Sequence, residues 1–284
     1  MSGFKEILER INSVSLIAQM SKTMKLIAVS KLTKYQQSLN NLRKFIDKMY
    51  EINEEFNPYK ELIFSENKEI NDSTLIIPIG SNKGFCGPFN NNIFKTIKDY
   101  LHENVTIMPI GKKIFNFISK NEDKIIPDNI EILNHIDIDK INNLSDQLYS
   151  FLKENKYSNI VFIYNKFISV SSQKVVVEDI KLIKNTNQNI ASKKENIIYE
   201  STPEEINNFL KKKILFYKIL NIMYESICSE SASTMISMNK ASDNADKIIK
   251  NLRIMYNQTR QSVITSEITE ISAGAKFLRK KKKI

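Results

Sequence analysis

Between residues 4 and 57 apolar side chains recur every three or four positions, at Ile7, Ile11, Val14, Ala18, Met24, Ala28, Leu32, Tyr35, Leu39, Leu42, Ile46 and Met49, by single steps or their sums. The same step returns between 204 and 273, at Tyr217, Leu220, Tyr224, Ile227, Ser231, Met235, Met238, Ala241, Ala245, Ile248, Leu252 and Met255. Neither stretch contains a breaker. Every proline lies from Pro58 to Pro203, and between Gly3 and Gly274 every glycine lies from Gly80 to Gly111. Runs this long far exceed the average helix of about 12 residues and, if continuous, would span roughly 80 Å and 105 Å. The stripe is narrow, as in a coiled coil. "STPEE" marks the second start: Ser201 or Thr202 can cap, Pro203 suits the first turn, and Glu204 and Glu205 face the positive dipole end.

The segment from 73 to 183 alternates differently. "TLIIPI", "VTIMPI" and "NIVFIY" are short apolar strand candidates, separated by helical patterns at 90–103, 111–121 and 140–155. This βαβ rhythm predicts a parallel sheet with covering helices. "QKVVVEDIKLI" is expected to return antiparallel beside "NIVFIYNKFI" through "SVSSQ", and 184–198 reads as a polar linker. The expected fold is α/β: a Rossmann-like domain (73–198) inserted between an N-terminal helix (1–57) and a C-terminal helix with a basic tail (203–284). Long helices with only a narrow apolar stripe need a partner in water. Antiparallel pairing of the two is the simplest solution, because the domain joins the end of one to the start of the other.

That pairing sets residue 57 beside 204 and the first residues beside about 257, leaving the second helix to continue alone for roughly 16 residues, about 24 Å. The overhang, "QTRQSVITSEITEISAG", leaves Val263, Ile264, Ile268 and Ile271 uncovered next to Arg260, Gln261 and Thr265. Uncovered apolar residues on a projecting helix imply insertion into a partner.

Composition excludes several classes. No run reaches the ~18 apolar residues of a membrane span, and "ILFYKILNIMY" is interrupted by Lys218. Lys5, Glu6, Glu9 and Arg10 occupy the place of a signal peptide's apolar region, so a cytosolic protein is expected. Cys86 and Cys228 are the only cysteines and have no zinc-like spacing, so both are read as reduced thiols, with no metal. The net charge of +10 comes almost wholly from scattered lysines, clustered only at Lys211–Lys213 and Lys280–Lys283, and reads as a solvated basic surface rather than a nucleic-acid site.

"GSNKGFCGPFNNN", residues 80–92, follows a strand and opens a helix, the place of a phosphate-binding turn. It fits neither phosphate motif. A P-loop needs a lysine where Phe85 follows Gly84, and the dinucleotide fingerprint G-x-G-x-x-G is absent. Anion binding through backbone N–H groups stays open, against a structural turn built on Gly84, Cys86, Gly87 and Asn90, with Asn90 or Asn91 capping the next helix. Cys86 at a helix start invites a nucleophilic reading, but neither His102 nor His135 lies near it in sequence, and a buried thiol is expected. The acidic pairs Glu204/Glu205 and Glu267/Glu270 fit helix starts and exposed helical faces. No catalytic constellation and no cofactor motif emerges.

Four ordered stretches resemble the gamma subunits of the rotary (F-type) ATP synthase: "INSVSLIAQMSKTMKLIAVSKL", "GFCGPFNNNI" with its G-x-C-G-x-x-N turn, "YESICSESASTMISMNKASDNADKII" and "NQTRQSVITSEITEISAGA". The resemblance runs from end to end. It implies a central rotor shaft that couples ion flow to ATP synthesis and is not itself an enzyme. The coiled-coil tip would turn inside a hexamer of alpha and beta subunits. The inserted domain would sit at the foot with epsilon on the membrane c-ring, at the cytoplasmic face of the bacterial cell membrane, without insertion into the membrane.

By the same resemblance Arg260, Gln261, Thr265 and Met24 match contacts to a beta subunit, and Tyr199 and Glu200 match contacts at the foot. The chain departs from the family's polar pattern at Leu16, Ile17, Ala18 and Gln19, and has Thr234 where an arginine is usual. The alternatives are a nucleotide-binding α/β enzyme with helical oligomerisation arms and a basic coiled-coil scaffold for nucleic acid.

Overall fold

The computed structural model describes residues 2–56, 73–100, 104–119, 136–154, 157, 159–181 and 202–281. Two long helices stand at the ends, α1 (Ser2–Phe56) and α5 (Pro203–Lys281). Between them follow β1 (Thr74–Pro78), α2 (Phe89–Asp99), β2 (Val105–Ile107), α3 (Lys112–Ile118), α4 (Ile138–Lys153), β3 (Asn159–Ser169) and β4 (Ser172–Lys181). Thr202 starts α5: its Oγ1 accepts from the Glu205 N–H at 3.4 Å, and Glu205 Oε2 accepts from the Thr202 N–H at 3.3 Å. That reciprocal capping box stops the chain entering the helix from fraying. The chain divides into two compact units, Met1–Ile27 with Ile236–Ile284, and Ala28–Met235.

The larger unit holds a four-stranded sheet in the order β2-β1-β3-β4. β1 lies parallel to β2 and β3, with Ile76 opposite both Ile107 and Val161, while β4 returns antiparallel to β3. β1 is apolar on both faces because both are covered. Leu75 and Ile77 join a core with Leu32, Tyr35 and Leu39 of α1, Leu144 and Leu148 of α4, and Leu215, Ile219 and Met223 of α5. Ile76 joins the opposite core, with Ile93 and Ile97 of α2 and Ile114 and Ile118 of α3. The strands and the antiparallel return stand where the hydrophobic pattern predicts them.

α5 exceeds its predicted stripe in this unit. Leu215, Ile219, Ile222, Met223 and Cys228 are fully buried, because the helix meets both α1 and the sheet. Each large aliphatic side chain so buried contributes about 1.5–3 kcal/mol, so this stretch anchors the helix. One buried acid lies among them. Glu225 accepts from Arg43 Nη2 of α1 at 2.6 Å and from the Phe167 N–H of β3 at 2.9 Å, so one carboxylate ties three elements together.

In the smaller unit α1 and α5 pair antiparallel. Lys25 Nζ donates to Asn239 Oδ1 at 2.7 Å, and Lys22, a turn earlier, meets Asp246 two turns later at 3.4 Å. Ile11, Ala18 and Ser21 are buried on α1, as are Met238, Ser242, Ala245 and Leu252 on α5. Small residues at Ala18, Ser21, Ser242 and Ala245 allow close helix approach. Two stripe positions are corrected: Ile248 and Met255 are 46% and 52% exposed, and Ile249 and Tyr256 are half-buried in their place. A stripe drifts against a fixed repeat over many turns, and only the packed geometry decides between neighbours.

Candidate functional site

The glycine turn between β1 and α2 tests the phosphate-binding reading. Part of its hydrogen-bonding capacity is engaged by the protein itself. The turn's acceptors hold the start of α3: Lys112 N–H donates to Asn82 Oδ1 at 3.0 Å and Lys113 N–H to the Ser81 carbonyl at 3.1 Å. Pro88 precedes α2 and has no N–H to offer, and Phe89 N–H donates to the Cys86 carbonyl at 3.2 Å.

Asn90 does not cap α2, as expected from the sequence, but lies inside it and reaches back. Its Oδ1 accepts from Ser81 N–H at 3.0 Å, and its Nδ2 donates to Ser81 Oγ at 2.7 Å and to Cys86 Sγ at 3.1 Å. Ser81 Oγ in turn donates to the Lys83 carbonyl at 2.6 Å. Asn90 is therefore the clasp of a closed turn. Cys86 is buried beneath it, and burial pushes its thiol above the ordinary value, which favours the inert form.

The glycines divide by necessity. A Cβ at Gly84 would meet nothing nearer than Lys113 at 3.9 Å, whereas one at Gly80 would come 2.2 Å from Ile114 Cγ1. Gly111 has φ +102° and a Cβ there would lie 2.1 Å from the Gly80 carbonyl oxygen. Gly87 has φ 55°, and Phe85 holds φ 68° without being a glycine. Of the two glycines expected to build the turn, Gly87 has a conformational reason and Gly84 has none. Gly80 and Gly111, missed in the motif reading, hold the close approach of β1 and α3.

The turn is bolted to α5. Ser233 Oγ donates to the Cys86 carbonyl at 2.6 Å, Ser229 Oγ to the Asn165 carbonyl at 2.8 Å, and Asn165 Nδ2 to the Phe89 carbonyl at 3.1 Å. These serines went unassigned from sequence. The signal was present in "SICSESAS", whose short polar side chains recur on a helix otherwise apolar there, the composition of close helix approach.

The second candidate is the far part of α5. Arg260, Gln261 and Thr265 are exposed, and so are Ile264, Ile268 and Ile271, the last at 73%. Gln261 and Thr265 share one helix face, and Thr265 Oγ1 donates to the Gln261 carbonyl at 2.8 Å. The Arg260 and Gln261 side chains form no hydrogen bond or ion pair among the described residues. Val263, expected to be bare, is half-buried, as are Tyr256 and Thr259, so shelter reaches about a turn further along α5 than equal-length pairing predicts. Met24 is half-buried on α1. Tyr199 and Glu200 lie outside the described residues. Among the described residues no group of acidic, histidine or cysteine side chains could hold a metal, and no helix is long and apolar enough to cross a membrane.

A family model described as ATP synthase matches residues 3–278. The ATP synthase gamma chain of Amoebophilus asiaticus is 34% identical over 98% of this chain and 99% of its own length. That of Christiangramia forsetii is 32% identical over 98% and 99%. Among solved structures, one chain of the Euglena gracilis mitochondrial ATP synthase (OSCP/F1/c-ring, rotational state 3) superposes with a TM-score of 0.70 at 17% identity, covering 99% of this chain and 96% of that one. A chain of the Tetrahymena thermophila central stalk and c-ring gives 0.61 at 22% identity, over 78% and 99%.

Proposed function

The chain belongs to the ATP synthase gamma-chain family, the non-catalytic subunit of the central stalk, and on that premise we propose how it transmits rotation. Residues 1–57 and 203–284 form the shaft and 73–198 the domain at its foot. The free part of α5 enters a hexamer of alpha and beta subunits, and the foot, with Tyr199 and Glu200, rests with epsilon on a membrane c-ring. The chain thereby couples ion movement to ATP synthesis as a peripheral subunit at the cytoplasmic face of the cell membrane.

One observation carries this reading: α5 presents Ile264, Ile268 and Ile271 bare beside exposed Arg260, Gln261 and Thr265. A helix in that state needs a surrounding protein. Arg260 and Gln261, with Thr265 and Met24, are the beta-subunit contacts. Arg260 and Gln261 act through charge-assisted and amide hydrogen bonds, worth about 1.5–3 kcal/mol where a charge takes part. The nucleotide-enzyme alternative finds little support at the glycine turn, where Pro88 offers no N–H at the start of α2 and the Phe89 N–H is spent on the Cys86 carbonyl.

Changing Arg260 and Gln261 together to leucine keeps helix propensity and approximate size. Reconstituted complexes carrying the pair should assemble normally, yet hydrolyse ATP and pump ions more slowly, because a contact that changes during rotation is lost. Equal rates at equal assembly would make both residues bystanders. A native pull-down lacking alpha, beta and epsilon subunits would overturn the shaft reading itself.

A further inference from the structure

Four polar side chains of α5 that bond to the inserted domain stand in one line. Lys218, Glu225, Ser229 and Ser233 follow by steps of three and four, with Ile222 filling the gap after Lys218. They therefore share one helix face over roughly 22 Å. Their partners come in the order of the sheet, from β4 across β3 to the end of β1. Lys218 Nζ meets Glu178 Oε1 of β4 at 3.0 Å, and Glu225 accepts from the Phe167 N–H of β3 at 2.9 Å. Ser229 donates to the Asn165 carbonyl of β3, and Ser233 to the Cys86 carbonyl in the turn after β1. Two of these links are held from behind as well. Tyr164 Oη donates to Glu178 Oε2 at 2.9 Å, and Arg43 of α1 donates to Glu225.

Apolar contacts hold two elements together without fixing their alignment, and packed helices can shear past a neighbour by small slides. A hydrogen bond, by contrast, weakens steeply once its angle is lost. Leu215, Ile219 and Met223 thus keep α5 on the domain, while the polar line keeps it at one height and one rotation. We propose that this line is the torque joint of the chain, making the inserted domain and α5 turn as one body. The proposal rests on the shaft reading, in which rotation passes between the foot and the helices. Lys218, Glu225, Ser229 and Ser233 are then positioning residues, acting through the helix that they hold in step.

The joint variant combines Lys218→Met, Ser229→Ala and Ser233→Ala, removing three of the four links while the apolar core stays. Its control, Ile219→Val, loosens that core from the same helix and leaves the line intact. Both are reconstituted in the full complex in vesicles, and ions pumped per ATP hydrolysed are measured at equal assembly against an opposing ion gradient. The joint variant should pump fewer ions per ATP as the gradient rises, because hydrolysis turns the helices while the loaded foot lags. The control should keep the ratio of the unmodified chain, since mere destabilisation lowers hydrolysis and pumping together. An unchanged ratio in the joint variant, or an equal fall in both variants, overturns the proposal. If the triple variant fails to fold, Lys218→Met alone decides at the half-buried end of the line. It should show a smaller fall that Lys218→Arg does not, and no fall ends the joint. Failure of the unmodified chain to join alpha and beta subunits would instead strike the shaft reading, and the joint with it.

Discussion

Among single residues, the glycines give the clearest division between appearance and need. Gly84 belongs to the most motif-like stretch of the chain but has free space and no positive φ. Gly111 is isolated in sequence, yet its φ of +102° and its closeness to the Gly80 carbonyl leave no room for a Cβ. Urea melts of the isolated chain should show Gly84→Ala within about 0.5 kcal/mol of the parent, as for an ordinary surface change. Gly111→Ala should cost about 3 kcal/mol or more, since backbone must move and a left-handed residue is strained. Equal melts would mean that the approach of β1 to α3 is far softer than its geometry. Asn90 teaches the same point. Its position was legible from sequence and its partner was not, because an asparagine near a helix start can bond forward to the helix or back to the preceding turn, and only the fold of 81–86 selects between them.

For the helices, what matters is which faces are covered. α1 is a simple case: its buried positions follow the three-and-four step, and only Ser21 was overlooked, being polar. α5 is not, because between 210 and 233 it serves two neighbours. The Glu225 bridge joins them, and its parts are unequal: the Arg43 side chain is 43% exposed and that of Glu225 only 2%. Arg43→Leu should therefore leave an unanswered buried carboxylate and cost about 3 kcal/mol. Glu225→Gln keeps an acceptor for the Phe167 N–H and leaves a cation that water can reach, so about 1 kcal/mol is expected. Thermal unfolding of the two variants should rank them in that order, and the reverse order would show that the buried carboxylate does not depend on the Arg43 charge.

On the scale of the whole molecule, the packed part of α5 and the part proposed to meet the surrounding subunits are different stretches. The stretch around Leu215 to Cys228 is buried, whereas from Ile264 to Ala275 every side chain is exposed. Deleting residues 264–284 should leave the unfolding temperature of the isolated chain almost unchanged, since little apolar surface is returned to water. Complexes built with the shortened chain should lose hydrolysis and pumping. A large drop in stability of the isolated chain would mean that the free end packs on its own protein, and the case for an outside partner would weaken.

The sequence by itself determined the two long helices, the strand order in the chain, the antiparallel return of β4 and the bare end of α5. Each of these rests on periodicity, on breakers or on their absence, which are local properties. The four family-like stretches were also readable as they stand. Only the tertiary structure decided that the glycine turn is closed, that Ser229 and Ser233 fasten it to α5, and that Glu225 is buried with Arg43. Those facts depend on groups far apart in the chain meeting at hydrogen-bond distance, and a polar residue in a sequence carries no mark of the partner that makes its burial tolerable.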